Sequence, residues 1–234
     1  MTRVHYLGPW RVDLTVRDGV SVPVRGRRLA RAVAATLDAA GAPSPASIGL
    51  ILSDDRELAE LNEAHLGGEG PTDVLSFPLL QPGAFPDHSG KAADEPDGAP
   101  DPEWPPAVTL PGRRPSLGDI VISVERAMEQ ARAGRGGQTG DVRWSPADEL
   151  RLLAIHGALH VCGWDHAAPV EEAAMRSLER DLLSLDSTTS VEPLASSPRL
   201  PRGLAPAARS SAGRAPARTG PGSAPSRGPR PRPP

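Results

Sequence analysis

The sequence predicts an α+β fold, a small mixed sheet of about four strands packed with about five helices. Three observations lead to it. Short apolar or alternating runs read as strands. Longer runs between them place apolar residues at helical spacing. Breaks made of Gly, Pro or Asp-Gly separate the two kinds. A change of composition near Asp186 confines the expected domain to residues 4–186.

Trp10 to Val16 (W-R-V-D-L-T-V) alternates apolar and polar residues, the period of a half-buried strand, and Asp18-Gly19 supplies a turn. From Gly26 to Ala40, Leu29, Ala32, Val33 and Leu37 recur at helical spacing before Gly41. The first turn there is basic, with Arg25, Arg27, Arg28 and Arg31, and serves either a phosphate or a solvated face. Ser47 to Ser53 is a short apolar strand. Asp54 or Asp55 caps the helix after it, which turns Leu58, Leu61 and Leu66 inward and stops at Gly67-Gly68. Thr72 to Phe77 is another strand, ended by Pro78. Leu80 to Pro115, rich in Pro, Gly, Ala and Asp, is expected to be a disordered loop insertion (80–115).

Leu117 to Ser123 restores order as a strand, followed by a helix from Val124 to about Ala133 and a glycine-rich link. Ser145-Pro146-Ala147-Asp148 opens the next helix, with Ser145 as N-cap and Pro146 in the first helical position. That helix carries Leu150, Leu153, Ile155 and Leu159 and is expected to end in a glycine turn at Gly163. Pro169 to Leu183 closes the domain as an amphipathic helix with Met175, Leu178 and Leu182 inward.

The net charge of -3 averages two unlike parts. Residues 187–234 are expected to form a disordered Pro/Arg-rich tail: from Thr188 on there are eight arginines and one acid, leaving the rest of the chain at -10. A single cysteine excludes an internal disulfide framework and fits a reducing compartment. With no apolar run of signal or membrane-spanning length, a soluble cytoplasmic protein is expected, without a membrane partner. No Gly-rich phosphate loop follows a strand, so no nucleotide cofactor is expected.

Three of the six histidines fall in I-H-G-A-L-H-V-C-G-W-D-H, from Ile155 to His166. His156 and His160 stand four apart, about 40° around a helix axis, and project from one face. Gly163 lets the chain leave the helix in a left-handed conformation and return with His166. Three imidazoles with a fourth position left for water make a catalytic type of zinc site, so one Zn²⁺ per chain is expected on His156, His160 and His166. Such an ion lowers the pKa of water from roughly 15.7 to about 7. Cys162 lies about 200° around the helix from His160 and is expected to pack as a small apolar side chain. The metzincin proteases share this histidine spacing but need a glutamate base after the first histidine. That position is Gly157, so peptide hydrolysis by their route lacks its base.

The run H-G-A-L-H-V-C-G-W-D-H resembles the H-G-x-L-H-L-x-G-Y-D-H signature of the YbeY family of rRNA maturation endoribonucleases. P-T-D-V-L-S-F-P (Pro71 to Pro78) and L-G-D-I-V-I-S (Leu117 to Ser123) are similar to two further blocks of that family, in the same order. The resemblance implies a single-strand-specific, metal-dependent endoribonuclease of late rRNA maturation. Its place of action would be near the small-subunit 3′ end and in ribosome quality control, with ribosomal RNA and the small ribosomal subunit as partners. It also implies the three histidines as zinc ligands. Asp165 beside the third is either a carboxylate that orients an imidazole or a plain turn residue.

The family carries basic residues where this chain has Leu66 and Gly70. Arg113, Arg114, one of the Arg25–Arg31 group or His65 could take over their role, or His65 is simply a surface histidine. Aromatic residues are 3% of the chain, too few for a base-stacking platform, so RNA binding would rest on arginine clusters and the tail. Two alternatives stay open: a ribosome-assembly or RNA-binding factor with a structural zinc, and another zinc hydrolase acting on amides or small phosphoesters.

Overall fold

In chain order the elements are β1 (Thr2–Leu7), β2 (Trp10–Val16), α1 (Gly26–Ala39), β3 (Ala46–Ser53) and α2 (Asp55–Leu66). They continue with β4 (Val74–Pro78), β5 (Ser116–Ser123), α3 (Val124–Ala133), α4 (Pro146–Val161) and α5 (Pro169–Leu185). The computed structural model describes residues 1–88, 114–134 and 144–185, all within one compact unit, Met1–Glu192. The strands form one mixed sheet in the order β1-β2-β3-β5-β4. Pairing is antiparallel at the two edges and parallel between β2, β3 and β5.

Alternation along the strands decides what each face of the sheet carries. Val12 and Leu14 of β2, Leu50 and Leu52 of β3, and Ile120 and Ile122 of β5 share one buried cluster with residues of α1, α4 and α5. On the other face, Leu58 of α2 is buried against Leu75 and Val121, with Ile51, Leu61 and Phe77 at its margin. The α+β class is as expected, and so are the five helices, but the sheet has five strands where about four were read from the sequence. The addition is β1. It is an edge strand whose residues are mostly exposed, Val4 and Tyr6 included, so burial left little imprint on its sequence.

The segment expected to be a disordered insertion is packed at its start. Pro82–Ala84 makes a 3₁₀ turn, Phe85 is buried in the main cluster, and His88 stacks on Trp164 with ring centroids 4.1 Å apart. Residues 89–113 of that segment, and the expected tail, lie outside the described residues.

Candidate metal centre

The helix that carries two of the histidines starts as its sequence dictates. Ser145 Oγ accepts the Asp148 N–H at 3.2 Å, and Asp148 Oδ2 accepts the Ser145 N–H at 3.3 Å, a reciprocal capping box with Pro146 in the first turn. From Glu149 to Val161 every residue of α4 is buried except His156 and His160. The helix is enclosed on nearly all sides, and its two buried charged residues have partners: Glu149 accepts from Trp144 Nε1, and Arg151 donates to the Leu183 carbonyl. The two imidazoles occupy the one gap in its cover.

Gly157 lets α4 lie against the sheet. A Cβ there would stand 2.6 Å from Ile120 Cγ2 and 3.2 Å from both Ser76 Oγ and Val74 Cγ2. Ser76 Oγ also donates to the Gly157 carbonyl at 3.0 Å. The position where a metzincin would carry its glutamate therefore faces β4 and β5, which has no room for a carboxylate.

The helix ends where expected. Gly163 adopts φ 81°, a left-handed conformation that costs glycine nothing, while the Trp164 N–H reaches back to the Leu159 carbonyl at 3.0 Å. Trp164 is buried under His88, and Asp165 Oδ1 accepts the His166 N–H at 2.7 Å. Asp165 thus closes the turn that delivers His166. Burial pushes the Cys162 thiol up to about 12, so it stays protonated and packs as an apolar group, as its sequence position suggests.

One nitrogen from each of His156, His160 and His166 lies within 4.8 Å of the others. The Nε2 atoms of His156 and His160 are 3.1 Å apart. On its other side, His156 Nδ1 is 2.7 Å from Glu179 Oε1 of α5. An ionised Glu179 fixes the proton on Nδ1 and leaves the Nε2 lone pair facing the other imidazoles. Sequence reasoning missed Glu179. The available signal was a carboxylate between Met175 and Leu182 on the inward face of α5, where its side chain is 12% exposed.

Burial lowers the His160 pKa to about 4, helped by the neighbouring charges of His156 and His166. The unfolded chain returns this group to about 6.5, so between those values the unfolded state binds the extra proton. Stability of metal-free protein should thus fall as pH drops from 6.5 towards 4, by on the order of 2–3 kcal/mol. Thermal unfolding of chelated protein across that range should show the loss, and His160→Gln should flatten it. An equally steep profile in the variant would remove His160 as its source.

The other residues singled out from sequence lie elsewhere or do other work. His65 meets the edge of Phe77, with centroids 5.2 Å apart. Arg114 donates to the Pro9 carbonyl and sits over the Tyr6 ring, beside the β1 edge. Arg25, Arg27 and Arg31 are exposed on or beside α1, and Arg113 lies outside the described residues. Leu66, at the end of α2, is 69% exposed. Beside the histidines, a cavity of about 190 Å³ between α4 and α5 is lined by His156, His166, Asp73, Glu172, Arg176 and Glu179, with Leu152, Leu153 and Met175 beneath.

The family model described as Endoribonuclease YbeY matches residues 20–185. The chain belongs to the YbeY family. Among its relatives, the Endoribonuclease YbeY of Salinispora tropica is 40% identical over 150 residues, 63% of this chain and 79% of the relative. That of Thermobifida fusca is 35% identical over 176 residues, 74% of this chain and 93% of the relative. That of Acidothermus cellulolyticus is 37% identical over 177 residues, covering 74% and 89%. The YbeY match takes in all five helices, the three histidines and Glu179, and leaves β1 and β2 outside. No helix among the described residues is long and apolar enough to cross a membrane.

Proposed function

We propose that the chain is a zinc-dependent endoribonuclease that cuts single-stranded ribosomal RNA in late small-subunit maturation and ribosome quality control, in the cytoplasm. The observation that carries the reading is the convergence of three imidazoles, one braced by a carboxylate, in a chain of the endoribonuclease YbeY family. The donor set suits zinc. Two nitrogens held at the usual zinc–imidazole distance in a tetrahedron stand roughly 3.4 Å apart, close to the 3.1 Å between the Nε2 atoms of His156 and His160. The depressed His160 pKa keeps that ligand neutral, as coordination requires.

His156, His160 and His166 hold the ion, and Glu179 aligns His156. Bound zinc supplies Lewis acidity towards a phosphoryl oxygen and a lowered pKa for water. Asp165 positions the His166 turn through the backbone. Loss of a carboxylate behind a ligating histidine weakens metal affinity about 10- to 100-fold, so Glu179→Ala should do so here. Glu179→Gln, which still accepts from Nδ1–H, should lose less. Competition with a chelating dye measures both, and unchanged affinity in the alanine variant would leave Glu179 as packing.

Purified protein incubated with single-stranded and duplex rRNA fragments, with and without chelator, tests the function. Cleavage confined to the single strands, stopped by chelator and restored by zinc, is expected. Cleavage that ignores the chelator, or none at all, overturns the reading. Exposed Leu66, together with Gly70, stands where the family has basic residues and favours a second reading, an assembly factor whose zinc is structural. Co-sedimentation with small subunits without turnover would select it.

A further inference from the structure

Resting on the endoribonuclease reading, we infer that Arg176 is the residue that binds RNA phosphate beside the metal centre, and that Glu172 holds its guanidinium there until the phosphate takes over. Phosphoryl chemistry at this centre needs a cation besides the ion, because charge builds on oxygens that one metal does not fully neutralise. Among the described residues lining the cavity next to His156 and His166, Arg176 is the one cation besides the histidines. The carboxylates around it are not equally free to yield. Glu179 is committed to His156 at 2.7 Å. Asp73 accepts from its neighbour Val74 N–H and from Gln130 Nε2, each at 2.9 Å. Glu172 instead pairs with Arg176 one helical turn away, Oε1 to Nη2 2.5 Å, and the two side chains are 43% and 49% exposed.

An exposed pair of that kind is weak and exchanges partners easily. A phosphate offers the guanidinium two parallel hydrogen bonds and more charge than a carboxylate, so it displaces Glu172. Several other described arginines are engaged elsewhere. Arg17 is on Glu57, Arg126 on Asp55, Arg151 on the Leu183 carbonyl and Arg114 on the Pro9 carbonyl.

The test uses the zinc-loaded full chain and a fluorescent single-stranded oligouridylate, 2′-O-methylated to resist cleavage, with anisotropy read over a series of salt concentrations. Arg176→Ala should weaken binding about tenfold, with zinc content unchanged. It should also reduce the slope of log affinity against log salt by about 0.7, the value for one lost single-strand phosphate contact. Arg176→Lys should keep part of the affinity. Glu172→Gln should tighten binding, and that gain should vanish in the Arg176→Ala background. A pair that merely braced α5 would give losses of the same sign in both single variants. Wild-type binding and cleavage alongside an unchanged Arg176→Ala affinity and slope overturns this assignment alone. Glu172→Gln without a gain overturns the holding role of Glu172. A wild-type protein that neither binds nor cuts single-stranded RNA overturns the endoribonuclease reading, and this inference with it.

Discussion

If the centre holds zinc as proposed, His160→Ala should empty it and lower RNA cleavage by roughly a thousandfold or more, since a bound metal would be the main source of charge stabilisation for the reaction. His160 is one of the three ligands of the proposed site. It is largely enclosed, held neutral down to about pH 4, and its Nε2 lies 3.1 Å from that of His156. Removing it leaves two imidazoles, below the three protein ligands that catalytic zinc sites require. The fold should survive, because burial of α4 rests on neighbours such as Leu150, Leu153, Ala154 and Leu159. Metal analysis of dialysed protein, circular dichroism and the cleavage assay together read the outcome. A well-folded variant that keeps one zinc per chain would place the ion somewhere else.

Gly157→Ala should cost stability in spite of alanine's better helix propensity. That propensity favours alanine by about 1 kcal/mol in a helix interior. Against it, the new methyl would lie 2.6 Å from Ile120 Cγ2, inside any distance a real contact tolerates, with Ser76 Oγ and Val74 Cγ2 at 3.2 Å. Overpacking of this kind costs about 1–3 kcal/mol and more when backbone must move. The helix would have to lift off β4 and β5, so the clash outweighs propensity and a net loss of about 2 kcal/mol is expected. For a chain of this size that is a fall in Tm of roughly 4–8 °C. His156 precedes the substituted residue, so affinity for the proposed metal ion should fall with it. A Tm at or above wild type would show that the sheet yields.

How legible the centre was follows from the range of its contacts. The capping box, the histidine pair, the Gly163 stop and the return to His166 all lie between Ser145 and His166, and each has a local signature. Glu179 meets His156 across 23 residues, a contact no local spacing encodes. Asp165 was legible only as two alternatives, and its bond to the His166 backbone corresponds to the turn. Strand β1 went unread because an exposed edge imposes little on composition. Phe85 went unread because one buried ring in a Pro- and Gly-rich stretch makes no period.

That ring belongs to a clasp. Phe85 is anchored in the core, Pro82 Cα lies 3.3 Å from where a Cβ on Gly163 would be, and His88 covers Trp164, two positions before His166. The root of the connection between β4 and β5 is thus mechanically tied to the turn that presents the third imidazole. Shortening that connection has to begin beyond His88, and anything that grips or clips it nearer the root would tug on His166.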